Sequence, residues 1–114
     1  MNGIKGENYT VNLDPDAATL SMSGTLRLNG MDEYAPVSKL LSELLSLPGS
    51  PTLDLTKLGF LNSSGIAVLS KFVIEARTKK IENLRIVGAQ SVPWQTKSLR
   101  NLQRLMPSLQ LDIQ

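Results

Sequence analysis

At 114 residues, 41% of them hydrophobic, the chain has the size of one domain with a packed core. It contains no cysteine and no histidine, which excludes a disulfide framework, a zinc–thiolate site, a catalytic thiol and the commonest general base. Aromatics at 4% and a net charge of +2 are too little for base stacking or a dedicated nucleic-acid surface, so composition points to an intracellular domain without hydrolytic or redox chemistry of its own.

Residues 1–7 read as a loose leader, with one domain over 8–114. Tyr9-Thr10-Val11-Asn12-Leu13 alternates apolar and polar, as a half-buried strand does. Asp14-Pro15-Asp16 is a turn, because proline presets the turn torsion and aspartate bonds to its own backbone. Residues 18–28 alternate again, with Leu20, Met22, Leu26 and Leu28 on one face. The two runs form an N-terminal antiparallel hairpin.

A helix follows. Pro36 suits its first turn, and Asp32 and Glu33 suit the positive end of its dipole. Val37, Leu40, Leu41, Leu44 and Leu45 recur at helical spacing, a stripe for packing on a sheet. Pro48-Gly49-Ser50-Pro51 stops it. Residues 52–56 form a short strand, and Leu58 to Leu61 run on into a loop. Asn62-Ser63-Ser64-Gly65 opens a second helix with Ile66, Leu69, Val73 and Ala76 toward the core. Ala67 and Ile74 widen that stripe, so burial on more than one side is expected. Residues 83–88 are a strand, Pro93 starts a third helix with Leu99, Leu102, Leu105 and Met106 inward, and 109–113 is an edge strand. The order is ββαβαβαβ: an α/β domain whose hairpin joins a mixed, largely parallel sheet packed by three helices.

No apolar run approaches the ~18 residues of a membrane span. The start, Met1-Asn2-Gly3-Ile4-Lys5, lacks the apolar core of a signal peptide, so a cytoplasmic location with no membrane partner is expected. Charge is uneven. Residues 1–50 hold six acids and three bases, whereas 51–114 hold four acids and nine bases. From residue 83 to 111 there are four bases (Arg85, Lys97, Arg100, Arg104) and no acid.

Asn62-Ser63-Ser64-Gly65 places three helix-start residues in a row, more than one cap demands. The run reads either as a cap with a close-packing glycine, or as a hydroxyl displayed where a phosphate would meet free N–H groups and the positive dipole end. A nucleophilic role for Ser63 lacks a base. Lys57 and Lys71 are the only nearby amines, no Ser-x-x-Lys begins at Ser63, and Gly-x-Ser-x-Gly is absent. Asp54 faces solvent or caps a neighbour. No phosphate-binding glycine loop occurs, and no metal or cofactor is expected. Lys97, Arg100 and Arg104 form one stripe of the third helix, either a solvated face or a secondary contact for an acidic partner. Trp94 is a core lid or an exposed anchor.

The run Leu53-Asp54-Leu55-Thr56-Lys57-Leu58-Gly59-Phe60-Leu61-Asn62-Ser63-Ser64-Gly65-Ile66-Ala67-Val68-Leu69 closely resembles the core of STAS domains, which include the bacterial anti-sigma factor antagonists. Their pattern is a strand ending in Asp, an apolar pair, then Asp-Ser-Ser/Thr-Gly and an apolar helix. The likeness extends over about residues 8–113 in element order; the specific motif is 61–66.

The resemblance implies a non-enzymatic signalling domain that binds an anti-sigma factor, a serine kinase of the histidine-kinase-like ATPase fold, with a phosphatase resetting the switch. Ser63 is then the phosphoacceptor, with Asn62, Ser64 and Gly65 as motif neighbours. The working surface is the loop before the second helix and that helix's exposed edge. Asn62 stands where the pattern has Asp, which removes one negative charge beside the acceptor. The alternatives are a constitutive scaffold or assembly subunit that self-associates, as a homodimer for example, without phosphorylation, and a small-ligand binder using the helix start as an anion site.

Overall fold

The computed structural model describes residues 2–114. Its elements are β1 (Asn2–Lys5), β2 (Tyr9–Asp14), β3 (Thr19–Leu26), α1 (Gly30–Leu45), β4 (Thr52–Leu61), α2 (Ser63–Thr78), β5 (Arg85–Gly88), α3 (Gln95–Leu105) and β6 (Gln110–Ile113). The six strands form one mixed sheet in sequence order. β1, β2 and β3 pair antiparallel, and β3 to β6 pair parallel. Strands added in one direction through right-handed crossovers carry their helices to one side. The helices accordingly pack α1 on α2 and α2 on α3 over a single core.

Alternation along the strands sorts the residues. Val11, Leu13, Leu20, Met22, Leu53, Leu55 and Ile86 are buried in the core shared with the α1 stripe Val37, Leu40, Leu41, Leu44 and Leu45. The alternate residues Thr10, Ser21, Ser23, Asp54, Thr56 and Arg85 are half-buried and make the opposite face polar. There Thr10 and Ser23 share a hydrogen bond, and Arg85 pairs with Asp112 at 2.6 Å.

Four expectations are corrected. Residues 2–5 are not a loose leader. They pair with β2, Ile4 opposite Val11, and Ile4 packs against the core. Met1 lies outside the described residues. The segment Leu58 to Leu61 is strand rather than loop. Ser21 pairs with Asp54 but Ser23 with Lys57, and Gly24 pairs with Leu58 but Thr25 with Phe60, so β4 carries two bulges. The bulges set Leu53, Leu55, Leu58 and Leu61 inward at steps of two, three and three, which breaks the alternation by which a strand is recognised. Pro36 sits inside α1, which begins a full turn earlier than expected, at Gly30. Asp32, whose carbonyl loses its helical partner to the proline, and Pro36 are both exposed, so solvent replaces the lost bond. Ala67 and Ile74 are exposed, so α2 buries one side only.

Candidate functional site

The site is built where β4 runs into α2. Asn62 is the N-cap, with an extended backbone, and its Oδ1 accepts the Gly65 N–H at 3.0 Å. The same oxygen accepts the Tyr34 hydroxyl at 2.7 Å, and Nδ2 donates to the Leu28 carbonyl at 2.9 Å. The Asn62 N–H donates to the Leu26 carbonyl at 3.2 Å. Leu28 offers only an acceptor to the amide and Gly65 only a donor, so the network itself orients the side chain. One side chain thus ties together the end of β3, the start of α1 and the start of α2.

This explains the departure from Asp. A carboxylate reproduces the Gly65 cap and the Tyr34 bond, but it has no donor for the Leu28 carbonyl and sets two oxygens against each other. Tyr34 is 1% exposed, and burial pushes its phenol pKa up, opposed in part by a backbone hydrogen bond from Leu28. Gly65 is required by space. A Cβ there meets the Leu61 side chain and lies 2.7 Å from the Tyr34 Oη.

With the cap filled by Asn62, the serines have no capping duty. Ser63 is exposed and Ser64 half-buried, and neither hydroxyl has a hydrogen-bond partner among the described residues. The first turn of α2 contains no acid. A phosphoryl group on Ser63 is therefore compatible with the fold: it meets the positive end of a 16-residue helix and no like charge in that turn. Ser63 is not built as a nucleophile, since no hydrogen bond joins it to Lys57 or Lys71 among the described residues.

Around Ser63 the surface is mixed. Ser63, Ala67, Lys71 and Ile74 follow one exposed edge of α2. Phe60, one bulge before the motif, is 38% exposed, and the Arg27 guanidinium lies 4.5 Å from its ring centroid. Met31, at the start of α1, is exposed as well.

The remaining candidates lie elsewhere. Asp54, on the polar sheet face, accepts from the Thr56 N–H at 3.0 Å and its hydroxyl at 2.7 Å, a local cap. Trp94 is half-buried, and its Nε1 donates to the Leu58 carbonyl at 3.1 Å. Lys97, Arg100 and Arg104 are exposed on α3, a different helix from the one that carries Ser63. No cluster of three or more metal-ligating side chains occurs, and no helix is long and apolar enough to cross a membrane, among the described residues.

Two residues escaped sequence reasoning. Neither Tyr34 nor Gln95 carries a signal in its local sequence. Gln95 is 0% exposed; its Nε2 donates to the carbonyls of Leu55 (2.6 Å) and Leu58 (2.9 Å), and its Oε1 accepts the Ala89 N–H (2.7 Å). The two carbonyls belong to the part of β4 that runs beyond its short pairing with β5, and Ala89 directly follows β5.

The fold is STAS-like. Three solved structures of SiaC from Pseudomonas aeruginosa share the fold. SiaC in complex with the diguanylate cyclase SiaD, whose activator it is, superposes with a TM-score of 0.75 at 19% identity, over 100% of this chain and 98% of that one. A second SiaC structure gives 0.74 at 20%, over 100% and 98%, and apo-SiaC gives 0.73 at 18%, over 100% and 99%. No family model matches the sequence, and no curated protein matches it. At these identities the likeness is one of fold.

Proposed function

We propose that the chain is a non-catalytic regulator that binds a signalling protein through the surface around Ser63, and that phosphorylation of Ser63 switches this binding. The observation that carries the reading is the division of labour at the start of α2. Asn62 does all the capping, while the Ser63 hydroxyl stands exposed and unbonded. The exposed Phe60 near the end of β4 and Met31 at the start of α1, with Ile74 about three turns further along the same edge of α2, supply apolar area of the kind a docking partner covers. A phosphoryl group adds roughly −1.5 to −2 charge in the middle of that surface, enough to expel an apolar contact.

The partner is a signalling enzyme. The complex of SiaC with a diguanylate cyclase supports an enzyme target for this chain too, of diguanylate cyclase type. The kinase acting on Ser63 is a serine kinase of the histidine-kinase-like ATPase fold, the class the STAS resemblance implies, with a phosphatase reversing it. The test pairs the chain with diguanylate cyclases and with such kinases from the same genome. Expected results are one added phosphate on Ser63 by intact mass and site mapping, and a complex or raised cyclase activity that Ser63→Ala keeps and Ser63→Asp weakens. If both variants behave as the parent, the switch is refuted. Self-association by light scattering with no phosphate incorporated favours the scaffold reading.

A further inference from the structure

We propose that the outer face of α3 is a second, separate docking strip that takes an acidic segment of a partner protein. It does not depend on the reading of Ser63. The strip consists of Lys97, Arg100 and Arg104, spaced i, i+3 and i+7 and all exposed. None of the three makes an ion pair or hydrogen bond among the described residues. The acids on the elements packed against α3, Asp112 of β6 and Glu75 of α2, are engaged elsewhere. Asp112 pairs with Arg85, and Glu75 pairs with Lys79 and accepts from Ser42. Arg77 adds a fourth cation at the far end, donating to the Leu105 carbonyl at 3.0 Å.

The fold gains little from this arrangement. Lys97 lies in the first turn, where the helix dipole disfavours a cation, and no acid stands there to offset it. Arg100 and Arg104 are like charges at i, i+4, a repulsive spacing. Only Arg104, in the last turn, suits the dipole. Local rules broken without a structural return mark a surface kept for binding.

The surface also selects its partner. A membrane needs an apolar face to insert, but Leu99, Leu102 and Met106 of this segment are all buried. Single-stranded nucleic acid needs stacking aromatics, and Trp94, beside the strip, has its N–H bound to Leu58. Carboxylates at helical spacing match three cations in one line. The shallow cleft of about 430 Å³ between Arg100, Gln103, Arg104 and Pro107 admits side chains rather than a duplex.

The experiment titrates the full chain with a synthetic helical peptide carrying glutamates at i, i+3 and i+7, followed by amide NMR. A glutamine version of the peptide, a dT20 oligonucleotide and phosphatidylglycerol vesicles are run beside it. Expected are salt-sensitive shifts confined to α3, no binding of the glutamine peptide, and affinity lowered about tenfold or more by combined Lys97→Glu, Arg100→Glu and Arg104→Glu. Arg100→Glu alone is expected to raise Tm by about 2–4 °C, because it turns a repulsive pair into an attractive one. A fall in Tm shows that the cations serve the fold and overturns the proposal. So does peptide binding within twofold of the parent in the triple variant. Tighter binding of dT20 or vesicles through the same residues also overturns the assignment to an acidic protein segment.

Discussion

Two helix starts in this domain do opposite things with polar side chains. At the start of α3, Gln95 is wholly buried and spends three hydrogen bonds on the strand and loop backbone. At the start of α2, Asn62 performs that backbone duty, and the next residue, Ser63, is left exposed with nothing to hold. A side chain whose bonding capacity is used inside the fold cannot also meet a partner. The difference therefore separates a structural junction from a surface available for regulation, although both lie where a strand hands over to a helix.

The sharpest way to break the comparison is at Gln95. Gln95→Leu keeps the volume but strands the Leu55 carbonyl and the Ala89 N–H and leaves Leu58 with Trp94 alone, a loss of about 3–4 kcal/mol by urea unfolding. Asn62→Ala removes its three side-chain bonds and costs about 2–3 kcal/mol, whereas Asn62→Asp keeps the cap and loses mainly the Leu28 contact, about 1–2 kcal/mol. No loss in thermal melts for Asn62→Asp would refute the assignment of Asn62 Nδ2 to Leu28. Gly65→Ala forces a methyl onto Leu61 and Tyr34 and costs about 1–3 kcal/mol, read by the same melts.

Tyr34→Phe deletes one bond to Asn62, about 0.5–1.5 kcal/mol. It also has a pH signature. Burial raises the folded-state pKa of Tyr34 above its ordinary 10.0, so above that pH the unfolded chain binds fewer protons than the folded one. The contribution is complete below pH 10.0 and is lost as pH climbs through the raised value; Tyr34→Phe flattens this alkaline limb. The smallest effects belong to Ser63. Ser63→Ala changes stability by about 0.5 kcal/mol or less, and Ser63→Asp stabilises by about 0.3–1 kcal/mol through the helix dipole. A large loss in either variant would show that the hydroxyl is structural after all.

Much of the fold was legible because its signals are local. The α1 stripe from Val37 to Leu45, the alternation of β2 and β3 and the helix opening at Asn62 each follow from spacing within a dozen residues. β1 was missed because Asn2–Lys5 carries a glycine and no alternating pattern, and forms only by pairing with β2. The end of β4 was misread because two bulges shift its inward residues off the period of two. The site divides in the same way. Ser63 announced itself through its neighbours in sequence, but the Tyr34 that holds its cap lies 28 residues from Asn62, and the carbonyls held by Gln95 lie 40 and 37 residues away.

The sequence by itself determined the fold class, the helix that carries the candidate switch, the two serines at its start and the acid-free stretch of α3. Periodicity, capping chemistry and charge are all properties of neighbours in the chain. Only the tertiary structure decided that Asn62 is a clamp rather than a depleted acid, that Ser63 is free, and that Ala67 and Ile74 belong to an open surface. Those outcomes depend on how donors, acceptors and apolar area are used up by segments distant in sequence, and that division exists only once the chain has folded.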